Sequence, residues 1–176
     1  FIDIEDPLTG DVHTLIDGCT GAAVGSLDHC DPEIQKVISQ ASKECVYSFP
    51  LFVCNHWAEK LAEFIITHSP KGAFSAATFA CSGSEANENA LRIIRQYFLE
   101  KGEPQRVKII SRKHSYHGYT IGALSIGDSY PFKDYSPIFL PHDQTIKVSE
   151  CNPYHNMKKG ETLEQYKNLS LIHISE

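Results

Sequence analysis

The feature that most constrains this chain is the run Phe79-Ala80-Cys81-Ser82-Gly83-Ser84-Glu85-Ala86-Asn87-Glu88, where an apolar stretch meets a glycine turn and passes straight into a helical pattern. Phe74 to Cys81 is small and apolar, as in a buried strand. Ala86, Ala90, Leu91, Ile94 and Phe98 recur at helical spacing, which predicts a helix from Glu85 to about Lys101. The N–H groups of a first helical turn lack intrahelical partners and stand at the positive end of the helix dipole, so such a turn suits a phosphate. Gly83 lets the backbone approach the anion, and the Ser82 and Ser84 hydroxyls are further donors. The same residues also fit a capping box, Ser82-x-x-Glu85, which needs no ligand and is the commoner use of the pattern.

The flanking sequence suggests what surrounds this turn. From Ile2 to about Leu27, short apolar runs alternate with turn residues such as Thr9-Gly10-Asp11, predicting a small antiparallel hairpin. Asp31-Pro32-Glu33 supplies a cap, a first-turn proline and an early acid, and Ile34, Val37, Ile38, Ala41 and Cys45 carry a helix to about Tyr47. A second helix starts at the Asn55 cap with Trp57, Leu61, Phe64 and Ile65 on one stripe, and Ser69-Pro70-Lys71-Gly72 stops it. Beyond Lys101, Arg106 to Ser111 is a strand candidate and Thr120 to Ser125 a short helix. Strand, helix, strand in that order predicts a right-handed crossover in a parallel sheet.

Composition narrows the partners. Sixteen basic against 22 acidic residues give a net charge of -6, which disfavours nucleic acid and anionic membranes. No apolar stretch approaches the roughly 20 residues that span a bilayer. Six dispersed cysteines without a C-x-x-C pair read as reduced, small apolar residues rather than a disulfide framework. His29 with Cys30, or Cys54 with His56, lacks structural-zinc spacing, so no metal site is expected. There is neither a G-x-G-x-x-G nor a G-x-x-x-x-G-K-[ST], which argues against dinucleotides and nucleoside triphosphates. The chain opens on Phe1 and reads as a fragment that begins inside a longer protein.

A second unit, Ser115-Tyr116-His117-Gly118, places an aromatic residue just after the second strand candidate. Ligands bind at that end of such strands, and the ring could stack on a planar heterocycle; taken alone, a surface aromatic in a turn is the simpler reading. The two units together, S-G-S-E-A-N-E-N-A-L-R and then S-Y-H-G-Y-T-I-G-A-L-S, resemble the class-III aminotransferases of pyridoxal-phosphate (PLP) fold type I. Gly21-Ala22-Ala23-Val24-Gly25-Ser26-Leu27-Asp28-His29-Cys30 resembles that family's glycine-rich stretch, with Asp28 where glycine is usual.

The resemblance implies an α/β fold: part of a PLP-transferase large domain, with a mixed, mostly parallel sheet and helices on both faces, preceded by a short N-terminal α+β segment. It implies a division into residues 1–55 (small-domain segment and connecting helix), 56–168 (first part of the PLP-binding domain) and a tail, 169–176, of doubtful origin that does not continue the family pattern. Gly83 and Ser84 would hold the phosphate of pyridoxal 5'-phosphate, Tyr116 would stack on its ring, and Ser82 and His117 complete the cofactor set. Tyr119 stands where ornithine, acetylornithine and 4-aminobutyrate branches carry a carboxylate-binding arginine, which points to an amine or ω-amino acid donor with a keto-acid acceptor. The family's Schiff-base lysine and ring-nitrogen aspartate match nothing here, so the fragment by itself is expected to be inactive. Lys113 falls in the wrong motif, and His173 lies in the doubtful tail. The whole protein is expected to be a cytoplasmic or mitochondrial homodimer. An aminomutase or decarboxylating PLP enzyme, or a non-catalytic phosphate-binding α/β domain, is the alternative.

Overall fold

The computed structural model describes residues 1–27, 29–49, 51–128 and 130–168, without the side chains of 22, 23 and 130–133. Asp28 and the 169–176 tail with His173 lie outside the described residues. The chain divides into two compact units, Phe1–Ala77 and the part from Thr78 onward.

In the first unit, β1 (Ile2–Glu5) pairs antiparallel with β2 (Val12–Leu15), with Ile2 opposite Leu15 and Glu5 opposite Val12. Gly10, at φ +77°, takes the left-handed conformation that closes the turn. The predicted hairpin is present but ends at Leu15 rather than near Leu27. The Asp17 carboxylate accepts from the N–H groups of Thr20 (2.7 Å) and Cys19 (3.1 Å), and turns the chain into the single-turn α1 (Thr20–Ala23). Those bonds, Thr20's foremost, and the His29 ring hold the Asp17 carboxyl below its ordinary range.

The two predicted helices of this unit form where their caps stand. Asp31 accepts from the Glu33 and Ile34 N–H groups at the head of α2 (Pro32–Glu44), and Asn55 from Trp57 N–H at the head of α3 (His56–Thr67). Glu44 joins them by accepting from the Trp57 indole at 3.0 Å. The apolar stripe of α2 remains uncovered: Ile34, Val37 and Ile38 are all exposed.

The second unit holds α4 (Gly83–Glu100), β3 (Ile109–Arg112), α5 (Ile121–Ile126), a 3-10 segment (Tyr130–Ile138), β4 (Thr145–Val148) and α6 (Pro153–Asn156). β3 and β4 pair in parallel, Ile109 opposite Thr145 and Arg112 opposite Val148. Its buried residues gather at α5 and β4, with Ala123, Ser125, Ile126, Thr145 and Val148. Tyr166 is also buried, its hydroxyl donating to Glu150 O and accepting from Asn152 N–H.

One predicted strand is absent. Phe74 to Cys81 forms no ladder among the described residues, and Phe74 and Phe79 are exposed. A strand exists only through hydrogen bonds to a neighbour, and the described parallel pair is β3–β4 with α5 between them in sequence, not 74–81 with 106–111.

Candidate functional site

The glycine turn folds as the start of α4. Ser82 is the N-cap, in extended conformation (φ -152°, ψ 162°), and its Oγ accepts from Glu85 N–H at 3.2 Å. Glu85 answers with its own carboxylate, which accepts from Cys81 N–H at 2.8 Å. The capping use of the motif is therefore realised, shifted one residue from the usual reciprocal pair. Gly83 is the first helical residue rather than the turn, because the extended Ser82 already redirects the chain.

This cap leaves room for an anion. The N–H groups of Gly83 and Ser84 have no acceptor among the described residues, and a Cβ on Gly83 would meet nothing within 4 Å. Two free N–H groups at the head of an 18-residue helix, with two hydroxyls beside them, fit a phosphate.

The second motif lies directly against that helix. Ser84 Oγ accepts from Tyr119 N–H at 2.8 Å, and Asn87 Nδ2 donates to His117 O at 2.6 Å. Gly118, at φ +129°, is closest of all: a Cβ there would stand 2.5 Å from Ser84 Oγ and 2.7 Å from its Cα. One turn further on, Glu88 Oε1 accepts from the Gly122 (2.9 Å) and Ala123 (3.3 Å) N–H groups. Ser84, Asn87 and Glu88 share one helical face by their i, i+3, i+4 spacing.

The structure thus brings Ser82, Gly83, Ser84, His117 and the Tyr119 backbone together in one region. Tyr116 is 63% exposed. Behind the motif, Tyr116 and His117 line a cavity of about 340 Å³ whose wall includes Phe139, Leu140, Asp128 and Lys147. Lys147 Nζ donates to Ser111 Oγ and to Ser125 O, each at 2.9 Å. Burial lowers its ammonium below the ordinary lysine range, and the charge of Asp128 opposes that.

Asn87, Glu88 and Lys147 were not singled out in the sequence. Glu88 is visible there as the acid four residues after Ser84, but its partners lie 34 and 35 positions away.

The aminotransferase class-III family matches residues 9–175. This chain belongs to the class-III aminotransferases. An uncharacterised aminotransferase of Schizosaccharomyces pombe is 39% identical over 153 residues, covering 86% of this chain and 33% of that protein. The mitochondrial acetylornithine aminotransferase of Neurospora crassa is 32% identical over 155 residues, covering 85% and 32% respectively. The chain therefore spans about a third of the length of these curated relatives. Among solved structures, a transaminase at 28% identity superposes with a TM-score of 0.78, covering 98% of this chain and 39% of that one. The omega transaminase of Pseudomonas jessenii, solved with PMP, superposes at 0.82 with 24% identity, covering 98% and 37%, a likeness of fold. The fold is that of PLP-transferases, and pyridoxal phosphate is the cofactor of class-III aminotransferases. No helix among the described residues is long and apolar enough to cross a membrane.

Proposed function

We propose that the protein is a PLP-dependent transaminase that exchanges an amino group between an amine or ω-amino acid and a keto acid, and that these residues grip the cofactor. The observation that carries this reading is the pair of unaccepted N–H groups at Gly83 and Ser84, locked by Ser84 to the segment that bears Tyr116. In this reading the Gly83 and Ser84 N–H groups and the Ser82 and Ser84 hydroxyls bind the phosphate, the Tyr116 ring covers the pyridine, and His117 flanks it. When bound, pyridoxal phosphate supplies an electron sink for the electron pair released at the substrate Cα. The chain's own residues orient that sink and keep water from one of its faces.

Tyr119 supports the choice of donor. A tyrosine cannot form the bidentate fork by which arginine holds a carboxylate, so donors without a carboxylate at that position are favoured over acetylornithine. We place the catalytic lysine and the ring-nitrogen aspartate outside residues 1–176, and the working protein as a homodimer in the cytoplasm or mitochondrion. The uncovered apolar faces of α2 and of α4, with Ile93, Ile94 and Tyr97 exposed, are consistent with further chain or a partner covering them.

The test is borohydride reduction of the complete protein after addition of pyridoxal phosphate, followed by peptide mapping. The expected result is a yellow protein, bleached on reduction, with its label at one lysine outside residues 1–176. A protein that stays colourless with added cofactor overturns the reading. A stoichiometric label at a lysine within this chain overturns the placement of the catalytic lysine.

A further inference from the structure

We propose that Glu88 is a positioning residue for the cofactor-stacking tyrosine: its carboxylate caps α5 from outside and thereby fixes the strap that carries Tyr116 to the helix that carries the phosphate cradle. This rests on the PLP reading of the site.

The short helix α5 lacks a side-chain cap of its own. Thr120 occupies the N-cap position of α5 and is the residue type that normally serves there, yet its side chain makes no capping bond. Its Oγ1 is instead buried without a partner. The N–H groups that a cap would satisfy, on Gly122 and Ala123, both go to Glu88 Oε1. Gly122 permits this, since a Cβ there would stand 2.6 Å from both carboxylate oxygens. A carboxylate is also the charge that the positive end of α5 favours. At the other end, the Lys147 ammonium bonds Ser125 O, the matching charge for the negative end.

A local cap would anchor α5 only to its own loop. Glu88 anchors it to α4, one turn beyond Ser84. With Asn87 on His117 O and Ser84 on Tyr119 N–H, one helical face holds four backbone groups between 117 and 123. Tyr116 directly precedes that segment, so its ring and the Gly83–Ser84 N–H groups are referenced to a single rigid element. Releasing Glu88 frees the far end of the strap and lets the ring drift relative to the phosphate.

The test uses the complete protein and pyridoxal phosphate itself as probe, with Glu88→Ala, Glu88→Gln and Gly122→Ala. The readouts are cofactor affinity and the circular dichroism of the bound cofactor's visible band, which reports ring orientation. Glu88→Ala is expected to weaken affinity about tenfold and to reduce the band at saturation. Glu88→Gln keeps an oxygen acceptor and should recover most of both. Gly122→Ala, which pushes on the clasp from the other side, should reduce the band as Glu88→Ala does. Unchanged affinity and band in Glu88→Ala, or equal losses in Ala and Gln, overturn the proposal. Should Glu88→Ala fail to fold, the Gln and Gly122→Ala variants decide it: full losses in Gln or an unaltered band in Gly122→Ala overturn it. Failure of the wild-type protein to bind pyridoxal phosphate is a separate outcome, which overturns the PLP reading on which the proposal stands.

Discussion

Ser84 Oγ accepts the Tyr119 N–H at 2.8 Å, a bond that crosses 35 positions of chain and joins the head of α4 to the segment that follows Tyr116. A serine hydroxyl has one proton and two lone pairs. With one lone pair taken by Tyr119, the proton stays available to a phosphate oxygen, so under the proposed function one side chain would serve both the fold and the cofactor. Ser84→Ala removes both contacts. A loss of about 1 kcal/mol in unfolding free energy is expected, the typical net value of one hydrogen bond. Pyridoxal phosphate should bind roughly tenfold more weakly, the equivalent of about 1.4 kcal/mol. Denaturant titration and cofactor titration read the two effects, and a stable variant with wild-type affinity would refute the dual role.

Gly118→Ala should be worse than Ser84→Ala. At φ +129° any side chain is strained, and here the added Cβ would also stand 2.5 Å from Ser84 Oγ and 2.7 Å from Ser84 Cα. The near neighbour is partly backbone, so it cannot simply rotate away. Backbone strain of this kind costs about 1–3 kcal/mol, and the clash adds to it. Thermal denaturation should show a clearly lower midpoint, with cofactor binding lost in parallel. A midpoint within a degree of wild type would show that the strap is not held against α4 as described.

Three helices were legible in the sequence because their signals are local. Asp31, Asn55 and Ser82 each cap the helix that follows within three residues, and the apolar periodicity continues each one. Phe74 to Cys81 was not legible in the same way: apolar content suits a strand, but pairing depends on a distant neighbour, and the described ladder joins β3 to β4. The site divides along the same line. Ser82, Gly83, Ser84 and Tyr116 could be named from motifs that resemble a family. Asn87 and Glu88 act on backbone groups at least 30 positions away, and nothing local marks a glutamate that caps another helix.

Tyr116 separates stacking from hydroxyl chemistry. The residue is exposed, and ring area rather than the hydroxyl should hold a planar heterocycle. Tyr116→Phe is expected to bind pyridoxal phosphate within about threefold of wild type, whereas Tyr116→Ala loses roughly tenfold, about 1.4 kcal/mol. Equal losses in the two variants would move the role from the ring to the hydroxyl. Equal retention would remove Tyr116 from the site.

Lys147 is expected to add a pH dependence to stability at the alkaline end through its half-buried ammonium. Burial lowers its pKa from 10.5, with Asp128 opposing, so the folded chain gives up this proton at a lower pH than the unfolded chain. Stability rises with pH wherever the unfolded state binds more protons. The cost of burying the charge is therefore fully present below the depressed folded value and is relieved as pH climbs from there to 10.5. Lys147→Met lacks this titration and keeps much of the side-chain volume, while leaving Ser111 Oγ and Ser125 O without the ammonium. Denaturation of wild type and variant at a series of pH values between 7 and 10.5 isolates the effect, since the other titrating groups are common to both. The wild type should gain stability relative to Lys147→Met toward the alkaline end. A difference that stays constant would mean that Asp128 and the two hydrogen bonds offset the burial of the charge, and one that moves in favour of the variant would mean that they outweigh it.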